Sequence, residues 1–482
     1  MSNIISLKPG VVWKNFYALN QIPRPSKHEQ KAIEYIKQFA EKHKLENIID
    51  DSGNLIVRKP GNNNTIKKGV ILQSHVDMVP QKNNDKVHDF LKDPIEMLVD
   101  GEWLRANGTT LGADNGMGVA AMMAILESND IQHGPIECLF TINEESGMDG
   151  AFGLASNVLK GDILINLDTE DEDEICMGCA GGIDANIDAE YKAITPEAKF
   201  EFYKIELKGL KGGHSGIDIH LGRGNSNKIM GRMLYTIISN FDAQLVNYWG
   251  GNMRNAIPRE AEAIICLPTD NSGALETTIE NFKITLAQEF KNTENNIKLT
   301  LSKAEITDKV LSYDDSLKYV SLMHACPNGV VRMSSEIEGL VETSLNLSIV
   351  NISNGKVDFK LLIRSAVDSA KYALSDRVKA LFELVGCTIG FGGDYPGWAP
   401  NNESPVLQVA KSTYNGVFKK EPHVVAVHAG LECGIIGGKY PKLDMVSVGP
   451  TIEHPHSPDE RVHIASVERF WKYLKAILEG ID

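Results

Sequence analysis

The chain has 482 residues, too many for one ordinary hydrophobic core, so two or three domains are expected. Hydrophobic residues at 42% and charged residues at 23% are the balance of a soluble globular protein. A net charge of −15, with no long Lys/Arg block, argues against nucleic acid or anionic membrane as the main partner.

No basic segment followed by a long apolar stretch stands at Met1-Ser2-Asn3-Ile4-Ile5, and the longest apolar run, near 119–126, is far too short to span a bilayer. Neither a signal peptide nor a membrane segment is expected. Residues 11–42 carry helical spacing, for example Phe39 after Tyr35 and Ile36. Leu55-Ile56-Val57 reads as a strand after the turn Asp51-Ser52-Gly53-Asn54, and Gly61-Asn62-Asn63-Asn64 reads as a further turn. Val70-Ile71-Leu72 leads into His75 as a buried strand. Residues 116–127 place Val119, Met122, Met123 and Leu126 on one helical face. Residues 136–142 form a strand running into Asn143-Glu144-Glu145, 151–159 a short helix, and Ile163-Leu164-Ile165 a strand ending at Asp168. Strands alternating with helices imply an α/β domain with a mostly parallel central sheet, whose ligands sit beyond the carboxyl ends of the strands.

From about 187 the pattern changes. Residues 202–207 alternate and precede Gly212-Gly213-His214; 269–296 carry helical spacing; 345–349 and 357–363 read as antiparallel strands around Ser353-Asn354-Gly355; 376–385 reads as a helix. The α/β pattern resumes near 400, with a helix at 406–418, strands near Val424-Val425 and 445–448, and a final helix at 466–478. The expected organisation is a catalytic domain from 1–186 and 397–482, interrupted by an inserted α+β domain at 187–396. The seven cysteines are scattered and odd in number, which suits a reducing, cytoplasmic compartment. Cys176-Met177-Gly178-Cys179 has no second pair with which to build a zinc ribbon, and reads as two packed thiols near a strand end.

The chemistry concentrates in Ser74-His75-Val76-Asp77, Leu111-Gly112-Ala113-Asp114-Asn115, Asn143-Glu144-Glu145, Asn166-Leu167-Asp168 and His454-Pro455-His456-Ser457-Pro458-Asp459-Glu460. Each acid or histidine follows a short apolar run, which places it at the end of a buried strand. Imidazole and carboxylate together suit zinc, manganese or cobalt, and an excess of carboxylates suits two adjacent ions. His75 and Asp77, two apart on a strand, share a face, so Asp77 can orient the His75 ring; alone, such a pair is equally at home as a structural contact. Gly112 and Gly116 allow a tight turn at Asp114, although an isolated Gly-Ala-Asp-Asn-Gly also reads as a plain turn. Glu144 and Glu145 repel each other unless a cation compensates; one can bind metal while the other takes a proton from water. A solvated loop pair is the blander reading. His454 and His456 are both candidates, and the acidic run 170–174 reads as a solvated loop.

These strings, with Gly108-Thr109-Thr110-Leu111, Gly212-Gly213-His214-Ser215-Gly216, Arg254-Asn255-Ala256-Ile257-Pro258-Arg259, His428-Ala429-Gly430-Leu431-Glu432-Cys433-Gly434 and Gly449-Pro450-Thr451-Ile452-Glu453-His454-Pro455-His456, resemble the co-catalytic zinc aminopeptidase and carboxypeptidase clan. Within it they are similar to the aminoacylhistidine dipeptidase branch, also called Xaa-His or cytosolic non-specific dipeptidases, over essentially the whole chain. The resemblance implies two Zn2+ per chain, with Co2+ or Mn2+ as possible substitutes: His75 and Asp168 on one ion, Glu145 and His456 on the other, Asp114 bridging. It implies that Asp77 orients His75, that Glu144 is the general base, and that the Asp114–Asn115 peptide is cis. It implies that the insert is a lid and homodimerisation domain whose His214 reaches the partner subunit's site to steady the oxyanion. Asn255, Arg364, Gly430 and Glu432 would contact substrate, the first two holding its C-terminal carboxylate. The implied activity is hydrolysis of unblocked dipeptides with broad specificity, including Xaa-His dipeptides such as carnosine. Tripeptidase and N-acyl amino-acid deacylase activities fit the same metal centre. A non-catalytic metal- or peptide-binding protein would be expected to lack Glu144, and a dinuclear phosphohydrolase to carry basic residues near the ligands, where this chain is acidic.

Overall fold

The computed structural model describes residues 4–63, 68–197, 199–307 and 309–481. Asn64 of the turn expected at 61–64, and Met1, Ser2 and Asn3, lie outside them. The chain divides into two compact units, residues 1–178, 398–426 and 431–482 against residues 179–397 and 427–430. The expected divisions were at 186/187 and 396/397.

In the first unit the strand Val70–His75 lies between Ile136–Thr141 and Ile163–Asn166, parallel to both, and Asp444–Ser447 continues the parallel set beyond Ile163–Asn166. Their continuous burial is what a sheet covered on both faces requires. Antiparallel strands Leu55–Lys59 and Glu46–Ile49 flank one side, so the architecture is α/β with a parallel centre. The helix Ala113–Glu127 is buried nearly all round and packs on the strand Val70–His75. A Cβ on Gly118 of this helix would lie 2.4 Å from Ser74 Oγ and 2.8 Å from the Leu167 carbonyl, so only glycine lets the helix approach that closely.

Residues 11–42 are not one helical stretch. Helices Gly10–Leu19 and Gln30–Lys42 are separated by a segment containing Pro23 and Pro25, which cannot continue a helix. The helix expected at 151–159 ends at Gly153, where Ser156-Asn157 turns the chain. The sequence also hides a small sheet in which Ile452–Glu453, Arg461–His463, Trp103–Ala106 and Met97–Asp100 pair in that order. It brings the 454–460 loop beside the turn leading to Asp114. Cys176 and Cys179 lie on the strand Glu174–Cys179, both buried.

The second unit is a nine-stranded sheet whose named pairings are all antiparallel, with Gly181–Glu190 between Lys356–Ser365 and Thr388–Tyr395. The hairpin Val341–Ser353/Lys356–Ser365 turns at Asn354 and Gly355, both with positive φ, as its Asn-Gly pair predicts. Helices Ser226–Phe241, Tyr313–Ala325 and Asp368–Glu383 contribute Met233, Tyr319 and Phe382 to this unit's own core. No helix among the described residues is long and apolar enough to cross a membrane.

Candidate active site

His75 ends its strand with its ring buried. Its Nε2 lies 3.0 Å from Asp114 Oδ1 and 3.5 Å from Asp168 Oδ1. His456, on the 454–460 loop, points its Nε2 at the other oxygen of the same carboxylate, 3.1 Å from Asp114 Oδ2, and lies 3.0 Å from Glu145 Oε2. Asp114 therefore offers one oxygen to each of two imidazoles, and each imidazole faces a second carboxylate. His454 is exposed and belongs to neither group.

Local structure explains the placement. Asp114 follows Gly112, whose φ of 70° turns the chain into the buried helix, and the Asp114–Asn115 peptide is cis. Asn115 Nδ2 donates to the Leu167 carbonyl at 2.8 Å and to Asp168 Oδ1, tying the turn to the strand end that carries Asp168. Asn143 adopts the left-handed conformation that asparagine tolerates, so Glu144 and Glu145 leave the end of Ile136–Thr141 on a sharp turn. Asp77, with no exposed surface, collects the neighbouring donors. It accepts from Ser26 Oγ at 2.7 Å, Glu144 N at 3.0 Å and Glu145 N at 3.3 Å, and its Oδ1 lies a long 3.3 Å from His75 Nδ1. One carboxylate thus accepts from the backbone of both glutamates and stands beside the His75 ring, whose Nδ1 makes no hydrogen bond among the described residues. Ser26 is a partner that the motif strings do not include; a serine after Pro-Arg-Pro carries no signature of that use.

Two groups of ligand atoms, from His75, Asp114 and Asp168 and from Asp114, Glu145 and His456, each lie within 4.8 Å of one another. A third such group joins His75 to Glu144 and Glu145. The electrostatics are those of a site built for cations. Burial, then Asp168, Glu432 and Glu145, pushes the Glu144 carboxyl well above the usual carboxylate range against the pull of His75. Burial likewise raises Glu145, whose Oε1 is buried without a partner. Hydrogen bonds to Asp114 and Glu145 push His456 up to about 11. Nitrogen and carboxylate oxygen in this mixture fit zinc, cobalt or manganese. Glu144 turns its carboxyl to no protein hydrogen-bond donor among the described residues.

Glu432 opens the helix Glu432–Lys439 and is buried. Its Oε2 accepts from Gln73 Nε2 at 2.6 Å and Thr141 Oγ1 at 2.8 Å, and burial pushes its carboxyl up to about 7. Acids of the run 170–174 pair with cations: Asp173 with Lys420 at 2.6 Å, and Glu172 with Arg469.

In the second unit, Gly213–His214 pairs with Ala256–Ile257. His214 Nδ1 accepts from Gly216 N at 3.2 Å and Ile217 N at 3.1 Å, so the neutral ring carries its proton on Nε2 and presents a donor there. Burial, then the charge of Arg364, lowers its pKa and favours that neutral form. Arg364 is buried, with Tyr395 Oη at 3.0 Å and Ser215 Oγ at 3.4 Å; no carboxylate lies within 4.0 Å among the described residues. Its hydrogen-bond partners are thus both neutral hydroxyls. Asn255 gives its backbone carbonyl to Ser215 N at 2.8 Å and is exposed. Gly430 ends the stretch 427–430, in which buried His428 meets Ser344 Oγ at 2.7 Å; burial, then Arg364 and His214, holds His428 down at about 3. Its place in a glycine-containing string gives no sign of that contact.

Residues 71–480 match Peptidase family M20/M25/M40. The chain is 46% identical over 486 residues to the cytosol non-specific dipeptidase of Escherichia coli (strain K12), covering 100% of this chain and 99% of that one. The aminoacylhistidine dipeptidase from Vibrio alginolyticus shares 45% identity and superimposes with a TM-score of 0.95, covering 100% of this chain and 99% of that one. The aminopeptidase PepT from Bacillus cereus ATCC 10987, at 16% identity and a TM-score of 0.58 over 98% of this chain and 99% of that one, shares the fold.

Proposed function

This chain belongs to peptidase family M20/M25/M40, and from that premise we propose that it is a cytoplasmic dipeptidase cleaving unblocked dipeptides at a two-metal centre. The observation that carries the reading is Asp114, with one carboxylate oxygen facing each of two imidazoles at 3.0 and 3.1 Å. His75 and Asp168 would hold one ion and Glu145 and His456 the other, with Asp114 placed to serve both. Two zinc ions held there would supply polarisation of the scissile carbonyl and a more acidic water. Glu144 takes the proton of the attacking water and returns it to the leaving amine. Asp77 keeps the His75 ring oriented. His214, donating from Nε2, stabilises the oxyanion across a homodimer formed by the second unit. Arg364 takes the substrate's C-terminal carboxylate, with the exposed Asn255 amide and the Gly430 backbone beside it.

Both relatives near 45% identity carry dipeptidase names, one of them for aminoacylhistidine substrates, which supports broad specificity including Xaa-His dipeptides such as carnosine. The word cytosol in one name agrees with the cysteine pattern. The test is a panel of dipeptides, tripeptides and N-acetyl amino acids given to the zinc-loaded protein. Unblocked dipeptides, Xaa-His among them, should be cleaved with the highest kcat/KM; preference for tripeptides or N-acetyl amino acids would contradict the reading.

A further inference from the structure

Arg24, between Pro23 and Pro25, is 1% exposed, and its guanidinium is spent on carbonyls around the ligands. Nη1 donates to the Val76 carbonyl at 2.8 Å and the Asp77 carbonyl at 3.2 Å, and Nη2 to Asn20 Oδ1 at 3.0 Å and the Gly112 carbonyl at 2.6 Å. Glu460, 2% exposed, grips the same turn through its N–H groups. Its Oε2 accepts from Leu111 N at 2.8 Å and Gly112 N at 3.0 Å, and its Oε1 from Ala113 N at 2.7 Å and Asp114 N at 3.3 Å. Consecutive backbone N–H groups converging on one carboxylate form an anion-binding concavity. No Lys or Arg lies within 4.0 Å of Glu460 among the described residues, so the backbone is its main compensation.

Gly112 is held from both sides, its N–H by Glu460 and its carbonyl by Arg24. A Cβ on Gly112 or on Gly116 would lie 2.6 Å from Arg24 Nη2, so the two glycines around Asp114 make room for the guanidinium. Glu460 also stands four residues after His456 and leads into Arg461–His463, paired with Trp103–Ala106. One carboxylate therefore joins the turn that carries Asp114 to the loop that carries His456.

We propose that Glu460, opposed by Arg24, is a positioning residue that holds the Leu111–Asp114 turn so that the Asp114 carboxylate stands between His75 and His456. The inference rests on the two-metal reading above. Glu460→Gln turns one acceptor oxygen into a donor facing backbone N–H groups. Zinc affinity of the full-length protein is measured by competition with a chromophoric chelator, beside urea unfolding of the metal-free protein. Loss of such an outer partner should weaken both zinc sites by about 10–100-fold, because Asp114 serves both. Glu137→Gln is the control for a merely structural role. Glu137 also accepts backbone N–H groups, from Lys160 at 2.6 Å and Gly161 at 2.8 Å, but near the other end of the strand leading to Glu144. That variant should lose stability and keep its zinc affinity. Arg24→Lys, which keeps the charge but not the fork, should show a smaller loss of zinc affinity, and it decides the matter if Glu460→Gln does not fold. A folded Glu460→Gln or Arg24→Lys protein with both zinc affinities equal to wild type overturns the proposal. Wild-type protein that binds fewer than two zinc ions instead sinks the two-metal reading beneath it.

Discussion

Asp77→Asn is the substitution whose outcome the geometry constrains most. The carboxylate accepts from Ser26 Oγ, Glu144 N and Glu145 N, and faces His75 Nδ1, all within 3.3 Å. An asparagine keeps the shape and replaces one acceptor by an NH2 donor. Placed at the Oδ1 position, that donor would oppose both Glu144 N and a protonated His75 Nδ1. Placed at the Oδ2 position, it meets Ser26, whose hydroxyl can turn and accept, and Glu145 N, which cannot. The second orientation is the less costly and leaves one buried N–H unpaired, worth about 1–3 kcal/mol. The casualty is the Glu145 backbone, so Asp77→Asn should disturb the Glu145–His456 side as well as the His75 side. The weaker hold on the His75 ring adds about a 10–100-fold loss of metal affinity. Urea unfolding of the metal-free protein reads the first quantity, and zinc competition with a chelator the second. Unchanged stability together with unchanged zinc affinity would refute the reasoning.

Glu144→Gln should lower kcat by roughly 10²–10⁴-fold or more with zinc content unchanged, whereas Glu145→Gln should lose zinc; elemental analysis giving the opposite pattern would reverse the two roles. Arg364→Ala removes a charge-assisted contact and should cost about 10–150-fold in kcat/KM on free dipeptides but much less on C-terminally amidated ones; equal losses would exclude Arg364 from carboxylate binding. Although burial alone would lower it, Asp168 and Asp114 push His75 well above its ordinary value, and Asp114 and Glu145 push His456 up to about 11. Both shifts are upward, and His456, at about 11, is protonated at neutral pH without metal. Zinc binding requires a neutral His456 ring, so it should release at least one proton per chain. Calorimetry in buffers of different ionisation enthalpy measures this, and a release near zero would contradict it.

His75, Glu144, Glu145 and Asp168 were legible as candidates because buried strands run into them, and the Asn354-Gly355 hairpin because that pair demands positive φ; Asp114, in the first turn of a helix, and His456, on a loop, stand at no strand end, and only the family resemblance singled them out. What joins His75 to His456 was not legible. The sheet that delivers the 454–460 loop uses strands as short as Ile452–Glu453 and Arg461–His463, too short to show alternation. Pro23 and Pro25 were visible, but apolar residues at helical spacing continue on both sides of them and mask the break. A buried arginine that binds carbonyls, or a glutamate that binds backbone N–H groups, is chosen by distant backbone, so Arg24 and Glu460 announce their partners nowhere in the local sequence. His214 was readable only as a residue in a glycine-rich loop; the proton on its Nε2 follows from two N–H groups that reach Nδ1 in the folded turn.

The central claim is that hydrolysis depends on two ions sharing Asp114. Its most direct measurement is a titration of metal-free protein with zinc, following hydrolysis of an unblocked dipeptide and bound metal together. Activity should rise until two equivalents are bound and then level off, and Asp114→Ala should bind neither ion tightly. Full activity with one ion bound, or an Asp114→Ala protein that retains both, would contradict the account.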